Sequence, residues 1–491
     1  MSGNSIAAVN RFGLGARPGE LAQVREAREW LQAQLRTKPD LSAFAALPGS
    51  ATIMRRQTEY LLMRRREQSG AAAPEQAQPR SDDMPEAAQP LRRRRRDQGD
   101  GEASMRTPLQ NEIRRDALAE ITARYGYAAT TDRPFVERLV RFWSNHFAVS
   151  ADKNQARLLA APMEREAVRP HVLGRFVDML TAVERHPAML QYLDNSASVG
   201  EGSTLAKMAE RRTKRDLGLN ENLAREILEL HTLGVDGGYR QQDVIELARA
   251  ITGWGTPLPR DVRRGDAPVV GFVFRPGAHE PGARTVLGRR YAEGGETQGL
   301  EILRDLALHP STARHLSLKL ARHFVADAPP QTLVRRMSDA YLRSDGDLTA
   351  MYRAMIEDDA AWNADARKFK TPDDYVVSAM RAGGLRLERR PFALARLLES
   401  LGQPIFTPRS PAGFPDTAAD WASGDALRKR LQAAAALAEQ IAGARQPYAM
   451  AVEALGESSV DGEFGQILRR AGSAQEGYAL LFSSPAFQWR V

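Results

Sequence analysis

Residues 220–254 read NENLAREILELHTLGVDGGYRQQDVIELARAITGW, two helical stretches joined by a glycine-rich connector. Apolar residues recur at three- and four-residue intervals over 220–232 and again over 241–253, the period of an amphipathic helix. Asn220 stands where a cap belongs. Glu221, Arg225 and Glu229 are spaced i,i+4 and predict an ion-pair ladder along one face. Glu226 and Glu229 lie one turn apart, as carboxylates do when they share a metal in a helical bundle. His231 completes no Glu-x-x-His spacing and falls near the Ala224, Ile227, Leu228 face. Two readings of residues 232–243, TLGVDGGYRQQD, compete. On a calcium-binding loop Asp236 takes position 5, Gly237 the obligatory glycine and Asp243 the terminal carboxylate, but Thr232 and Gly234 stand where two carboxylates are expected. The mechanical alternative has Gly234 ending one helix, Gly237 and Gly238 making the turn, and Asp243 sitting in the next helix's first turn.

The same periodicity extends outward over most of the 491 residues. It predicts helices at 20–35, 51–66, 109–124, 133–147, 172–184, 296–308, 310–324, 331–344, 347–357, 372–383, 391–401, 424–442 and 474–483. His186-Pro187 and His309-Pro310 mark helix starts, with histidine as cap and proline at the first helical position. PVVGFVF (268–274) and RTVLGRRY (284–291) read as a short hairpin or two edge strands. Residues 403–423, rich in Pro and Gly, read as an irregular segment wrapping the surface. The expected fold is mainly α: a large single helical domain with a short β-hairpin insertion and irregular Pro/Gly loops.

One stretch breaks the pattern. Residues 68–104 consist of Ala, Gln, Pro, Glu, Asp, Gly, Ser and Arg, with Met84 and Leu91 as their only apolar residues larger than alanine. Such a segment cannot bury enough surface to offset chain entropy and reads as a disordered insertion. It separates an N-terminal helical part, 1–67, from a main helical domain, 105–491, against which that part is expected to pack. The insertion carries five consecutive arginines at 92–96. Over residues 67–105, however, six arginines face eight acids, so the chain's net charge of +8 belongs elsewhere. No aromatic residues interleave with the run, which weakens a nucleic-acid reading.

Absences narrow the chemistry. The chain has no cysteine, so disulfides, thiolate metal sites and a cysteine nucleophile are excluded. It has no phosphate-cradling P-loop, no His-Glu-x-x-His and no Gly-x-Ser-x-Gly elbow. Gly13-Leu14-Gly15 lacks the preceding strand and third glycine of a dinucleotide fingerprint. No apolar run reaches the roughly 18 residues of a membrane span. The first fifteen residues lack the charged start and apolar run of a secretory leader, so a cytoplasmic protein is expected, or a periplasmic one if a leader has been removed.

The 220–254 stretch strongly resembles the signature of a bacterial family of unknown function, domain-of-unknown-function family 1800. Further segments follow in the family's order: NRFGLGARPGE (10–20), FWSNHF (142–147), HPAMLQYLDN (186–195), HEPGARTVLG (279–288), HPSTARHLSLKLARHFVAD (309–327), KTPDDYVVSAMRA (370–382), GQPIF (402–406) and SSPAFQW (483–489). The resemblance implies a helical bacterial protein and brings no reaction from which catalytic residues carry over. It also implies a partner, because such proteins are often encoded beside a second uncharacterised family resembling the alkaline phosphatase and sulfatase fold. Many relatives carry export leaders.

If an active site exists, His146, His186, Asp194, Glu226, His231 and His279 are the residues expected to converge. Histidine would ligate a divalent metal or shuttle a proton while a carboxylate activates water. Metal ligands would come from Glu226 and Glu229, or from Asp236 and Asp243. The leading expectation is a helical accessory or interaction protein working with a partner. A metal-assisted hydrolase or other His/carboxylate enzyme is the alternative, and nucleic-acid binding through the arginine run is weaker.

Overall fold

Helix dominates the computed structural model, which describes residues 3–70, 108–153, 156–213, 217–257, 271–442 and 445–490. The arginine run, and most of the insertion expected at 68–104, lie outside the described residues; 68–70 end the helix Ser50–Gly70. Among the described residues no helix is long and apolar enough to cross a membrane.

Two hydrophobic clusters form the interior. The larger gathers residues from Ala7 through Trp362, including Phe135, Leu139, Trp143, Leu228, Leu316 and Tyr352. The second is built from the C-terminal helices, with Leu14, Tyr125 and Ala128 joining Tyr375, Met380, Leu437 and Phe482. Pro134–His146 runs through the middle, buried on nearly every face with Pro134 at its first position. A helix buried all round must satisfy its own charges internally. Glu137 does so with the buried Arg169 at 2.5 Å, and Arg138 and Arg141 through ion pairs with Asp374 and Asp373.

Several predicted helices stand at their expected bounds. Pro310–Phe324 and Pro372–Gly383 coincide with the sequence reading, and the His-Pro starts work as argued. His186 Nδ1 accepts from the Ala188 amide at 3.2 Å and His309 Nδ1 from the Ser311 amide at 3.1 Å. The helix expected at 20–35 is instead two, Glu20–Gln23 and Ala27–Gln34. Val24 leaves the helical region at φ −86°, ψ 87°, while Glu20 just before it is tied to Arg381. The 220–232 helix begins as Asn222–Glu226 and widens into a π-turn over Ile227–His231.

The hairpin is corrected. Val273–Phe274 pairs with Trp254–Gly255, whereas RTVLGRRY folds on itself, Arg284–Val286 against Arg289–Tyr291. Its two turn residues, Leu287 and Gly288, both have positive φ, 50° and 75°, as a two-residue primed turn requires. Leucine is not a residue that advertises such a turn. Asp243 holds it there by accepting the Leu287 amide at 2.7 Å. Pro268, Val269 and Val270 lie outside the described residues. A third strand pair, Lys368–Phe369 with Trp489–Arg490, carries the end of the chain beside the start of Pro372–Gly383.

Candidate functional site

Four segments enclose a cavity of about 210 Å³. Pro134–His146 contributes Arg138, Arg141, Asn145 and His146, and Pro310–Phe324 contributes Lys319, Arg322 and His323. The i,i+3,i+4 spacings put each set on one helix face. The capped first turn of Pro372–Gly383 adds Asp373 and Asp374, where carboxylates also suit the helix dipole. The irregular segment expected to wrap the surface closes the cavity through Gln403, Phe414 and Asp416. Asn145 clips it down, accepting the Phe414 amide at 2.8 Å and donating to the Phe414 carbonyl at 2.9 Å.

The charges around this cavity are unevenly paired. Arg138 Nη1 donates to Asp374 at 2.6 Å, Arg141 pairs with Asp373, and His323 Nδ1 meets Asp416 at 2.9 Å. Arg490, fully buried behind them, reaches Asp374 at 3.4 Å. The buried N–H groups of Arg138 Nη2 and Arg141 Nη2 have no hydrogen-bond partner, and nor do the three guanidinium nitrogens of Arg490. Among the described residues the Lys319 ammonium has neither a hydrogen bond nor an ion pair. Burial pushes Lys319 down to about 8 against the pull of Asp416, and pushes Lys370, behind Asp374, down to about 7. Asp416 is held down to about 2: the neighbouring His323 and Lys368 outweigh the cost of its own burial. Cationic donors with unused hydrogens around a partly closed cavity are the chemistry of an oxyanion site.

Behind Lys319 lies a cluster of imidazoles. His146 Nε2 is 3.2 Å from the His231 carbonyl and therefore carries the proton, leaving Nδ1 unpaired. His146 stands 6.2 Å from His231 and 6.3 Å from His315, ring centre to ring centre. His231 Nδ1 meets Glu184 Oε1 at 2.8 Å, both side chains fully buried. The π-turn at 227–231 carries His231 and presents the Leu230 carbonyl to His315 Nε2 at 3.2 Å. Burial holds His146 well below the ordinary histidine range and His315 at about 4.

Of the residues expected to converge, then, His146 and His231 are neighbours, and His315 joins them unpredicted. Glu226 is half-buried near His231, and burial raises its carboxyl. The others are engaged elsewhere. His186 caps its helix and meets Glu166 at 3.1 Å, Asp194 pairs with Lys153 at 2.7 Å, and His279 Nδ1 lies 3.0 Å from the Thr252 carbonyl. The Glu221–Arg225–Glu229 ladder forms at 3.0 and 3.5 Å, so Glu229 faces Arg225. Asp243 spends one oxygen on the Arg240 amide at 2.8 Å and the other on Leu287, while Asp236 is exposed; this is the mechanical turn. Among the described residues no group of three or more His, Asp or Glu stands in metal-binding geometry.

Sequence reasoning passed over Lys319, Arg138, Arg141, Asp373, Asp374 and Asp416. A signal was present in Arg138-x-x-Arg141-x-x-x-Asn145 and Lys319-x-x-Arg322-His323, polar faces on helices otherwise apolar enough to be buried. Fold and site together define a mainly helical protein with a cleft lined by cationic side chains. The chain belongs to the family described as protein of unknown function (DUF1800), which it matches over residues 7–489. No curated protein and no solved structure matches it.

Proposed function

We propose that this is a helical accessory protein whose working part is the Lys319 cleft. There it captures an anionic group, a phosphate, sulfate or carboxylate, on a compound that a partner protein supplies or processes. One observation carries the reading: an unpaired ammonium faces a cavity already lined by arginine N–H groups with hydrogens to spare. A charge-assisted hydrogen bond formed in this partly closed cleft is less screened by water than one at a fully exposed lysine, so an oxyanion gains more there. The test is thermal unfolding and calorimetric titration with inorganic sulfate and phosphate on the wild type and on Lys319→Met. At a hundredfold excess over Kd, bound anion stabilises the fold by about 2.7 kcal/mol. Equal stabilisation of the two proteins would overturn the reading.

The enzymatic alternative draws on a different observation. His146 lines the same cavity and its Nδ1 lone pair has no hydrogen-bond partner, so it is free to accept a proton once a bound anion raises its basicity. In that case aryl phosphate or aryl sulfate is turned over, and His146→Gln abolishes turnover while leaving anion binding in place.

A further inference from the structure

We infer that the ligand of the cleft is an amphiphile, its anionic head at Lys319 and an apolar tail in the cavity between the helices Ser50–Gly70 and Pro108–Thr130. The inference rests on the anion-binding reading and adds the other end of the molecule. The head cavity adjoins a second cavity, which in turn adjoins a third. Arg141, Asn145, Asp373, Gln403 and Phe414 line both the head cavity and a neck of about 80 Å³, where Asp373 is held by Arg141. Ile405 and Phe406 line both that neck and a third cavity of about 210 Å³. One irregular stretch, residues 403–417, thus borders all three.

The far cavity differs in character from the head. Ile53, Ile113, Ile121 and Leu158 line it. Of its charged side chains Arg56 pairs with Asp116 at 2.8 Å and Glu120 with Arg165 at 2.6 Å, Arg114 lies over the Phe392 ring and Arg157 donates to the Ala151 carbonyl. This cavity exceeds the ~150 Å³ apolar cavity that suffices for benzene, so a ring or a short alkyl chain fits. Unpaired cations at one end and apolar walls at the other match a molecule built the same way.

Phe406, at the junction, is the residue most constrained by this arrangement. Its φ of 54° is unusual for a bulky side chain. The Ala151 amide donates to its carbonyl at 2.7 Å and the Arg124 guanidinium lies 4.9 Å over its ring. Strain of this kind persists where surrounding structure over-determines it and clusters at ligand sites. Here it sets an aromatic ring between neck and tail.

The experiment is a calorimetric series on the full chain with inorganic phosphate, butyl phosphate and octyl phosphate, the last below its micellar concentration, and neutral octyl maltoside as contrast. Each methylene that leaves water tightens binding about four-fold. Affinity should therefore climb steeply from inorganic to butyl phosphate and further to octyl phosphate. Filling the tail cavity by Ala117→Trp, on an exposed position, should remove that climb while inorganic phosphate binds as before. Ala161→Phe, reaching the same cavity from another segment, guards against a folding defect in the first variant. If phosphate binds but the alkyl phosphates bind no tighter, the tail is refuted and the anion site stands. If octyl maltoside binds as well as octyl phosphate, the anionic head is refuted as the anchor. If neither phosphate nor alkyl phosphate binds, the anion site falls and the inference with it.

Discussion

Lys319 makes anion binding depend on pH in a way that can be worked out in advance. Its ammonium loses its proton near pH 8 in the free protein, because burial disfavours the charge. Sulfate keeps its double charge throughout the neutral and alkaline range, so any change in its affinity there reports on the protein. Deprotonation removes one charge-assisted hydrogen bond, worth about 1.5–3 kcal/mol, or roughly a 10- to 100-fold loss of affinity. The loss should begin as pH rises through about 8, with a plateau on the acid side. Lys370 titrates near 7 behind Asp374 and contributes an earlier, smaller step, which Lys370→Met removes. Titrating sulfate calorimetrically between about pH 6.5 and 9.5 separates the two. The Lys319→Met protein should bind weakly and lack the step near 8. Stability gives an independent check. The unfolded lysine, at 10.5, holds its proton more tightly than the folded one, so the free protein should gain stability as pH rises from about 8 towards 10.5. The full shift corresponds to at most about 3 kcal/mol. A sulfate affinity independent of pH, or a Lys319→Met protein with the wild-type pH profile, would refute the argument.

Two further outcomes test how the interior is held. Arg381 donates to both oxygens of Glu20 at 2.9 and 2.8 Å and to the carbonyls of Gly15 and Ala128, with almost no exposure. Arg381→Met leaves the buried Glu20 carboxylate with only Arg17, whose guanidinium stands 3.6 Å away and whose amide donates at 2.8 Å, and should cost about 3 kcal/mol in urea denaturation, part of it restored by adding Glu20→Leu. His146, His315 and His323 are all pushed below the ordinary histidine value by burial. Below about pH 6.5 the unfolded chain takes up protons that the folded chain refuses, so stability falls by up to ~1.4 kcal/mol per pH unit for each. His315→Gln should make the decline between about pH 6.5 and 5 shallower, as followed by urea midpoints at each pH.

Helix positions were legible wherever punctuation and periodicity agreed. Pro310 and Pro372, each behind a side-chain cap, fixed their helix starts because proline's ring and the cap act locally. Where a tertiary contact decides, the local signal misleads. Glu20 is drawn to Arg381 and the helix breaks after it; Leu287 accepts a left-handed conformation because Asp243, more than forty residues away, holds its amide. Short helices such as Pro447–Leu455 escaped because fewer than three turns carry little periodicity. The site was half visible. His146 and His231 stood out as rare titratable residues in aromatic or carboxylate-rich stretches. Lys319 did not, since one lysine on an amphipathic helix looks like its polar face. Only the packing of Pro310–Phe324 against Pro134–His146 turns that face inward, and no spacing in either helix encodes their meeting.

The basic composition acquires a different meaning from the packing. Lysine occurs only eight times, so arginine carries nearly all the positive charge. Six arginines, at 11, 138, 169, 381, 430 and 490, are almost wholly buried. Several spend their donors on backbone carbonyls that no helix or sheet could satisfy. Arg11 reaches those of Ala361, Asn363 and Ala366 at 2.7, 3.0 and 2.6 Å, and Arg430 reaches that of Lys370 and the Gln488 side chain. A guanidinium suits this work because it is planar, carries five hydrogens in a fixed fork and is less strongly hydrated than an ammonium. A fold with many short helices and irregular connections leaves many carbonyl groups at helix ends, and arginine bridges them across elements. Part of the net charge is therefore internal bracing, which removes the main ground for reading it as a surface for nucleic acid. The same bracing explains the cleft. Asp373 is committed to Arg141, and Asp374 is shared by Arg138 and Arg490, which leaves Lys319 without an ion pair and an incoming anion as the group proposed to meet it.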